Sequence, residues 1–147
     1  MTEDIDSLRI RLDQRTALDV VRRIEQGGIV MTPEFHREFI WGEDKQSRLI
    51  ESVLLRIPLP AFYLTEDLQG RLTILDGLQR LTALARFMNN SFKLKLPGLP
   101  EVGGKSFCEL PPRLQNRIED CQLSLGLVGC KVSEKARLDI FKRVNRS

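Results

Sequence analysis

A single histidine and three cysteines are all that this 147-residue chain offers a soft metal. Cys108, Cys121 and Cys130 show no C-x-x-C spacing, and with His36 they make a poor zinc site, so no metal site is expected. Free thiols in a reduced compartment is the reading they carry. No apolar run approaches the ~20 residues that cross a bilayer, so no membrane partner is expected. The opening stretch, Met1 to Asp6, is acidic and polar, unlike a secretory signal. A cytoplasmic location is the expectation. Internal repeats, low-complexity tracts and an obvious linker are lacking too. The length suits one domain with one core, spanning residues 1–147. Neither sign of charge dominates: the formal net charge is +3 and the pI about 8.9. That mild basicity would help approach to a polyanion without identifying one.

What is present reads as alternating helices and short strands. Thr16 can cap a helix whose apolar positions Ala17, Val20, Val21 and Ile24 recur at helical spacing, with Gly27 and Gly28 ending it. Ile29 to Met31 reads as a short strand, followed by a loop from Thr32 to Gly42. A second helix, roughly Glu43 to Arg56, buries Leu49, Ile50, Val53 and Leu54. Ile57-Pro58-Leu59-Pro60 cannot continue it, because proline lacks a donor and restricts its predecessor. Ala61 to Leu64 and Arg71 to Leu75 form a hairpin around the turn Thr65 to Gly70. A third helix runs from Leu78 to Asn89, on the stripe Leu81, Leu84, Ala85 and Met88. The stretch Asn90 to Lys105 is mostly loop, with a candidate strand at Phe92 to Leu96. Pro111 and Pro112 open a helix reaching about Asp120, and Gln122 to Val128 is a strand. Ser133 caps a last helix with Ala136, Ile140, Phe141 and Val144 inward. Three or four short strands in a small mixed sheet, packed with four to five helices, make an α+β domain.

The segment from Leu72 through Asp76-Gly77-Leu78-Gln79-Arg80 to Ala83 carries the chemistry. A strand enters a helix across one glycine, with an acid before it and an arginine in the first turn. The first turn exposes partnerless N–H groups and the positive end of the helix dipole, which together attract anions. Gly77 lets a phosphate approach the backbone, and Arg80 can add a bidentate contact. Asp76 can hold magnesium, orient Arg80, or simply cap the helix, since Asp-Gly before a helix is common punctuation. Arg80, taken as an exposed first-turn residue, is expected to matter little for stability.

The segment resembles the Asp-Gly-Gln-Gln-Arg motif, with its following Leu-Thr, of the amino-terminal domain of GmrSD-type restriction enzymes. Leu78 stands where the family has its first glutamine, while Asp76, Gly77, Gln79 and Arg80 are retained. Phe35-His36-Arg37-Glu38-Phe39-Ile40-Trp41 resembles the family's Gln-Arg-Pro-Tyr-Val-Trp. Arg48 to Ser52 and Ile57 to Pro60 sit where the family places a helix and its proline-rich exit. Phe141-Lys142-Arg143-Val144-Asn145 is similar to its Phe-Glu-Arg-Leu-Asn. The match runs in family order from about Thr32 to Asn145.

The resemblance implies a ParB/sulfiredoxin-like fold and a nucleotide-binding regulatory domain, with NTP hydrolysis as a further capacity. Its setting would be a modification-dependent restriction system acting in phage defence. Asp76, Gln79 and Arg80 are then the candidate catalytic residues. Gly77, Arg80, Thr82, Arg37, Trp41, His36 and Asn145 are the candidate contacts to an NTP bound with Mg2+. Each keeps a plainer role beside this: Arg37 in a surface ion pair, Trp41 as a packing anchor, His36 in stabilising its loop, Asn145 as a helix cap. Leu78 removes one polar contact, which bears on hydrolysis more than on binding. The family also implies a carboxy-terminal His-Asn-His nuclease as a domain or subunit partner, and no such motif lies in this chain. Ending at Ser147 would leave the domain short of the family's usual extent. A non-catalytic DNA-binding module of the ParB-like superfamily is the alternative. A sulfiredoxin-like phosphotransferase would need a cysteine in the loop, where Leu78-Gln79 stands.

Overall fold

Two segments with every second residue inward, Phe62-Tyr63-Leu64 and Leu72-Thr73-Ile74, form the central hairpin of the sheet. The computed structural model describes residues 10–31 and 41–129, together with Lys135, Ala136, Asp139, Lys142 and Arg143. Strands β1 (Ile10–Thr16), β2 (Ile29–Val30), β3 (Phe62–Glu66), β4 (Leu72–Asp76) and β5 (Gln122–Val128) make one sheet in the order β1-β5-β3-β4-β2. β1 and β5 are antiparallel, β5 and β3 parallel, β3 and β4 antiparallel, and β4 and β2 parallel. Helices α1 (Ala17–Glu25), α2 (Glu43–Leu54), α3 (Leu78–Met88) and α4 (Pro112–Glu119) complete an α+β domain. Their apolar stripes close a core that includes Val20, Ile50, Phe62, Ile74, Leu81, Phe87, Ile118 and Leu125.

The helix boundaries follow from backbone chemistry. Thr16 caps α1, its hydroxyl accepting the Asp19 N–H at 3.1 Å. At the far end α1, α2 and α3 stop in the same way: the residue at C′ turns left-handed, and two N–H groups reach back to the last turn. The left-handed residue is Gly27 (φ 79°), Arg56 (φ 60°) and Asn90 (φ 60°) respectively. After α2 the bonds are Arg56 N–H to Val53 O at 3.1 Å and Ile57 N–H to Ser52 O at 2.9 Å. Glycine adopts this conformation freely and asparagine tolerates it. An arginine there costs about 1–2 kcal/mol.

The sequence expectations hold for α1, the α2 start, the hairpin, α3, α4 and β5, with ends shifted by one or two residues. Two differ. Phe92 to Leu96 is not a strand, although Phe92, Leu94 and Leu96 are buried in alternation. Its hydrogen bonds go elsewhere: Leu94 pairs with Lys105 and Gly104, and the Lys95 N–H donates to the buried Ser47 hydroxyl at 2.9 Å. The alternating pattern serves a loop pressed onto α2. Strand β1 was not expected, because Arg11, Asp13, Gln14 and Arg15 mask its period and Leu12 faces solvent. It is an edge strand held by one neighbour, so burial never had to shape its composition. A short 3-10 helix, Phe107–Glu109, was likewise not expected. Of the last helix, Ser133, Ile140, Phe141 and Val144 lie outside the described residues. Lys135, Ala136, Asp139, Lys142 and Arg143 are helical, and Ala136 is buried with Leu75 and Val128.

Candidate functional site

The junction between β4 and α3 is built by one glycine. Asp76 is the last residue of β4, opposite Tyr63, and Gly77 turns left-handed (φ 104°) before Leu78 begins the helix. A Cβ on Gly77 would lie 2.4 Å from Phe62 Cδ1, so the position excludes any side chain on grounds of both space and φ. The cap of α3 is therefore Gly77 and not Asp76, and it supplies no side-chain hydrogen bond. No acid lies in the first turn of α3. By contrast α1 begins with a threonine cap and Asp19, and α2 with Glu43 and Asp44. The positive end of the α3 dipole is thus left without local compensation within the helix.

Arg80 is not the exposed residue that its place in a first turn suggests. Its side chain is 15% exposed. One guanidinium nitrogen donates to the Pro60 carbonyl, and Nη2 donates to the Ala61 carbonyl at 3.2 Å. The guanidinium carbon stands 4.1 Å from the centre of the Phe62 ring, and Nη2 lies 3.6 Å from Asp76 Oδ2. Burial pulls the Arg80 pKa down, and the Asp76 carboxylate opposes that shift. Arg80 so ties the proline-rich exit of α2 to the motif helix. Of the roles open to Asp76 from sequence, orienting Arg80 has its contact here, at 3.6 Å.

Gln79 reaches in another direction. Its Oε1 accepts the Trp41 backbone N–H at 3.2 Å, across 38 positions of sequence. The Trp41 carbonyl accepts Gln46 Nε2 at 3.0 Å, and Gln46 Oε1 accepts Arg86 Nη1 at 2.9 Å. Gln46 is almost fully buried, so each of these bonds replaces one that water would otherwise make. The Trp41 side chain packs partly against the main core. Thr82 is half-buried in α3. His36, Arg37 and Asn145 lie outside the described residues. Among the described residues Cys108 and Cys121 are free thiols, and no cluster of three metal-ligating side chains occurs.

Sequence reasoning singled out Asp76, Gln79, Arg80 and Trp41 but missed Phe62 under Arg80 and Gln46 behind Trp41. Phe62 and Gln46 read as ordinary core and helix positions, and nothing in their spacing marks them. The proline-rich Ile57 to Pro60 was legible as a helix exit, yet not as the segment whose carbonyls receive Arg80.

Residues 17–147 match the family model described as GmrSD restriction endonuclease, N-terminal domain. The chain belongs to the GmrSD N-terminal domain family. It is therefore a component of a restriction, phage-defence type of system, in a family whose full proteins pair this domain with a nuclease. No curated protein and no solved structure matches the chain. No helix among the described residues is long and apolar enough to cross a membrane.

Proposed function

We propose that this GmrSD N-terminal domain binds a nucleoside triphosphate with Mg2+ at the β4–Gly77–α3 junction and regulates a nuclease partner through it. The frame would be ParB/sulfiredoxin-like. The observation that carries the reading is the N-terminus of α3, which begins at a left-handed glycine and holds no acid in its first turn. Phosphate oxygens would meet the first-turn N–H groups. Magnesium commonly takes one or two carboxylates and fills its shell with phosphate oxygens and water, so Asp76 alone is an adequate protein ligand. Arg80 then acts first as a positioning residue, holding Phe62 and the Pro60–Ala61 backbone against the glycine. Gln79 links the same turn to the backbone at Trp41, so occupancy of the junction would be felt at the start of α2.

Calorimetric titration of ATP, GTP and CTP with Mg2+ tests this. At least one should bind, and Asp76→Asn should weaken that binding about tenfold or more in magnesium but little without it. If none binds at millimolar concentration, the reading fails. DNA affinity that falls steeply with salt and ignores nucleotide would then favour a DNA-binding module.

A further inference from the structure

A cavity of about 600 Å³ lies away from the motif, between the end of α2, the segment Ile57 to Leu59, and α4 with the start of β5. Ile57, Pro58 and Leu59 give it an apolar wall, and Arg56, Arg113 and Arg117 are three basic residues of its lining. Asp120 contributes one opposing carboxylate to the lining. Its size falls in the range of small-molecule sites, roughly 300–1,000 Å³.

One further observation points to a ligand. Arg56 occupies the left-handed position where α1 uses glycine and α3 asparagine. Among the described residues the same helix ending is thus made three times, and only beside the cavity is it made with a residue that the conformation disfavours. Backbone strain of this kind collects where a side chain must be displayed. Arg117 donates from Nη1 to the Leu54 carbonyl at 3.1 Å, which fixes it beside the end of α2. Arg113 is held by Glu101, an exposed pair that competes only weakly with an incoming anion.

We propose that this cavity is a ligand site for a phosphate ester of mononucleotide size, its phosphate held by the arginines and its body against Ile57, Pro58 and Leu59. Guanidinium groups match phosphate oxygens in bidentate fashion and stack on planar rings, which suits both ends of such a ligand. The same chemistry comes from a free nucleotide or from a nucleotide unit of a single DNA strand. The site does not depend on the NTP reading of the motif, and its residues are distinct from Asp76, Gly77 and Arg80.

The test is calorimetry with the deoxynucleoside 5′-monophosphates, their parent nucleosides, inorganic phosphate and a short single-stranded DNA. It is run on wild type, Arg56→Gly, Arg113→Ala and Asp76→Asn. At least one monophosphate should bind, its nucleoside and inorganic phosphate each about tenfold or more weaker. Arg56→Gly should weaken the monophosphate about tenfold while its melting temperature stays equal or rises, because glycine relieves the left-handed position. Arg113→Ala should weaken it too, and Asp76→Asn should leave it unchanged. Tighter, Arg56-dependent binding of the DNA assigns the site to a strand, and binding of monophosphates alone assigns it to a free nucleotide. The proposal is overturned if no monophosphate or DNA binds, if the nucleoside binds as well as its phosphate, or if Arg56→Gly binds as tightly as wild type. Binding lost in Asp76→Asn but kept in Arg56→Gly would place the ligand at the motif instead.

Discussion

The Arg80 guanidinium stands over the Phe62 ring at 4.1 Å while its nitrogens hold the Pro60 and Ala61 carbonyls. Charged hydrogen bonds contribute about 1.5–3 kcal/mol each and a cation–π contact about 0.5–2, with part of this offset by desolvation. Arg80→Ala should therefore destabilise the domain by about 2–3 kcal/mol in urea unfolding, whether or not a nucleotide binds. Arg80→Lys should recover only part, since one ammonium cannot serve both carbonyls and stack. A loss under about 0.5 kcal/mol would restore the exposed arginine expected from sequence.

Gly77→Ala meets two obstacles, a φ of 104° and the Phe62 ring at 2.4 Å from the new carbon. A cost of about 2–4 kcal/mol is expected from strain and overpacking together. Phe62→Leu should reduce the penalty of Gly77→Ala, and a double-mutant cycle would read the coupling. Independent, additive effects would argue against the close approach.

Gln46 joins the Trp41 carbonyl to the Arg86 guanidinium from a site closed to water. Gln46→Leu keeps the volume but takes one buried hydrogen bond from each partner, so a loss of about 1–3 kcal/mol is expected. Trp41 is the single tryptophan of the chain, and its emission should shift toward that of exposed indole in the variant. An unchanged spectrum would show that the Trp41 backbone is held by Gln79 alone.

Glu109 accepts the Ser106 backbone N–H and the Ser106 hydroxyl, both at 2.9 Å, forming the capping box of the short 3-10 helix. These bonds, with Lys93 nearby, lower its pKa below the usual glutamate value. A depressed folded-state pKa means its stabilising effect is present above the unfolded value near 4.3 and fades as pH falls through the folded value. Wild type should exceed Glu109→Gln in melting temperature at neutral pH, and the gap should close in acid. A gap that does not narrow as the carboxylate is protonated would locate the effect elsewhere.

The helices and the central hairpin were legible because their apolar residues follow helical or alternating spacing and their ends carry Thr16, Gly27, Pro58 and Pro111. Strand β1 was hidden by its charge, and Phe92 to Leu96 was misread because burial alternates there without a partner strand. At the candidate site the strand–glycine–helix order could be read from Asp76 and Gly77. The engagement of Arg80 could not, since its partners are backbone carbonyls, which every residue possesses and no pattern distinguishes. Gln79 bonding to Trp41 is hidden for the same reason.

The place of β5 within the sheet bears on how the domain is made. β5 lies between β1 and β3, so the last described strand in sequence separates the first strand from the hairpin. Ile10 waits for Val128, and Phe62 for Leu125, before their ladders can close. Pairings between residues so remote in the chain are slow to form, because the intervening loop must be closed before any contact compensates it. On the ribosome, Phe62 and Leu64 would have only β4 as a strand partner until residues 122–128 emerge. A nascent chain arrested before Gln122 should remain sensitive to protease and inclined to aggregate through that open edge, and one extended past Val128 should become resistant in a single step.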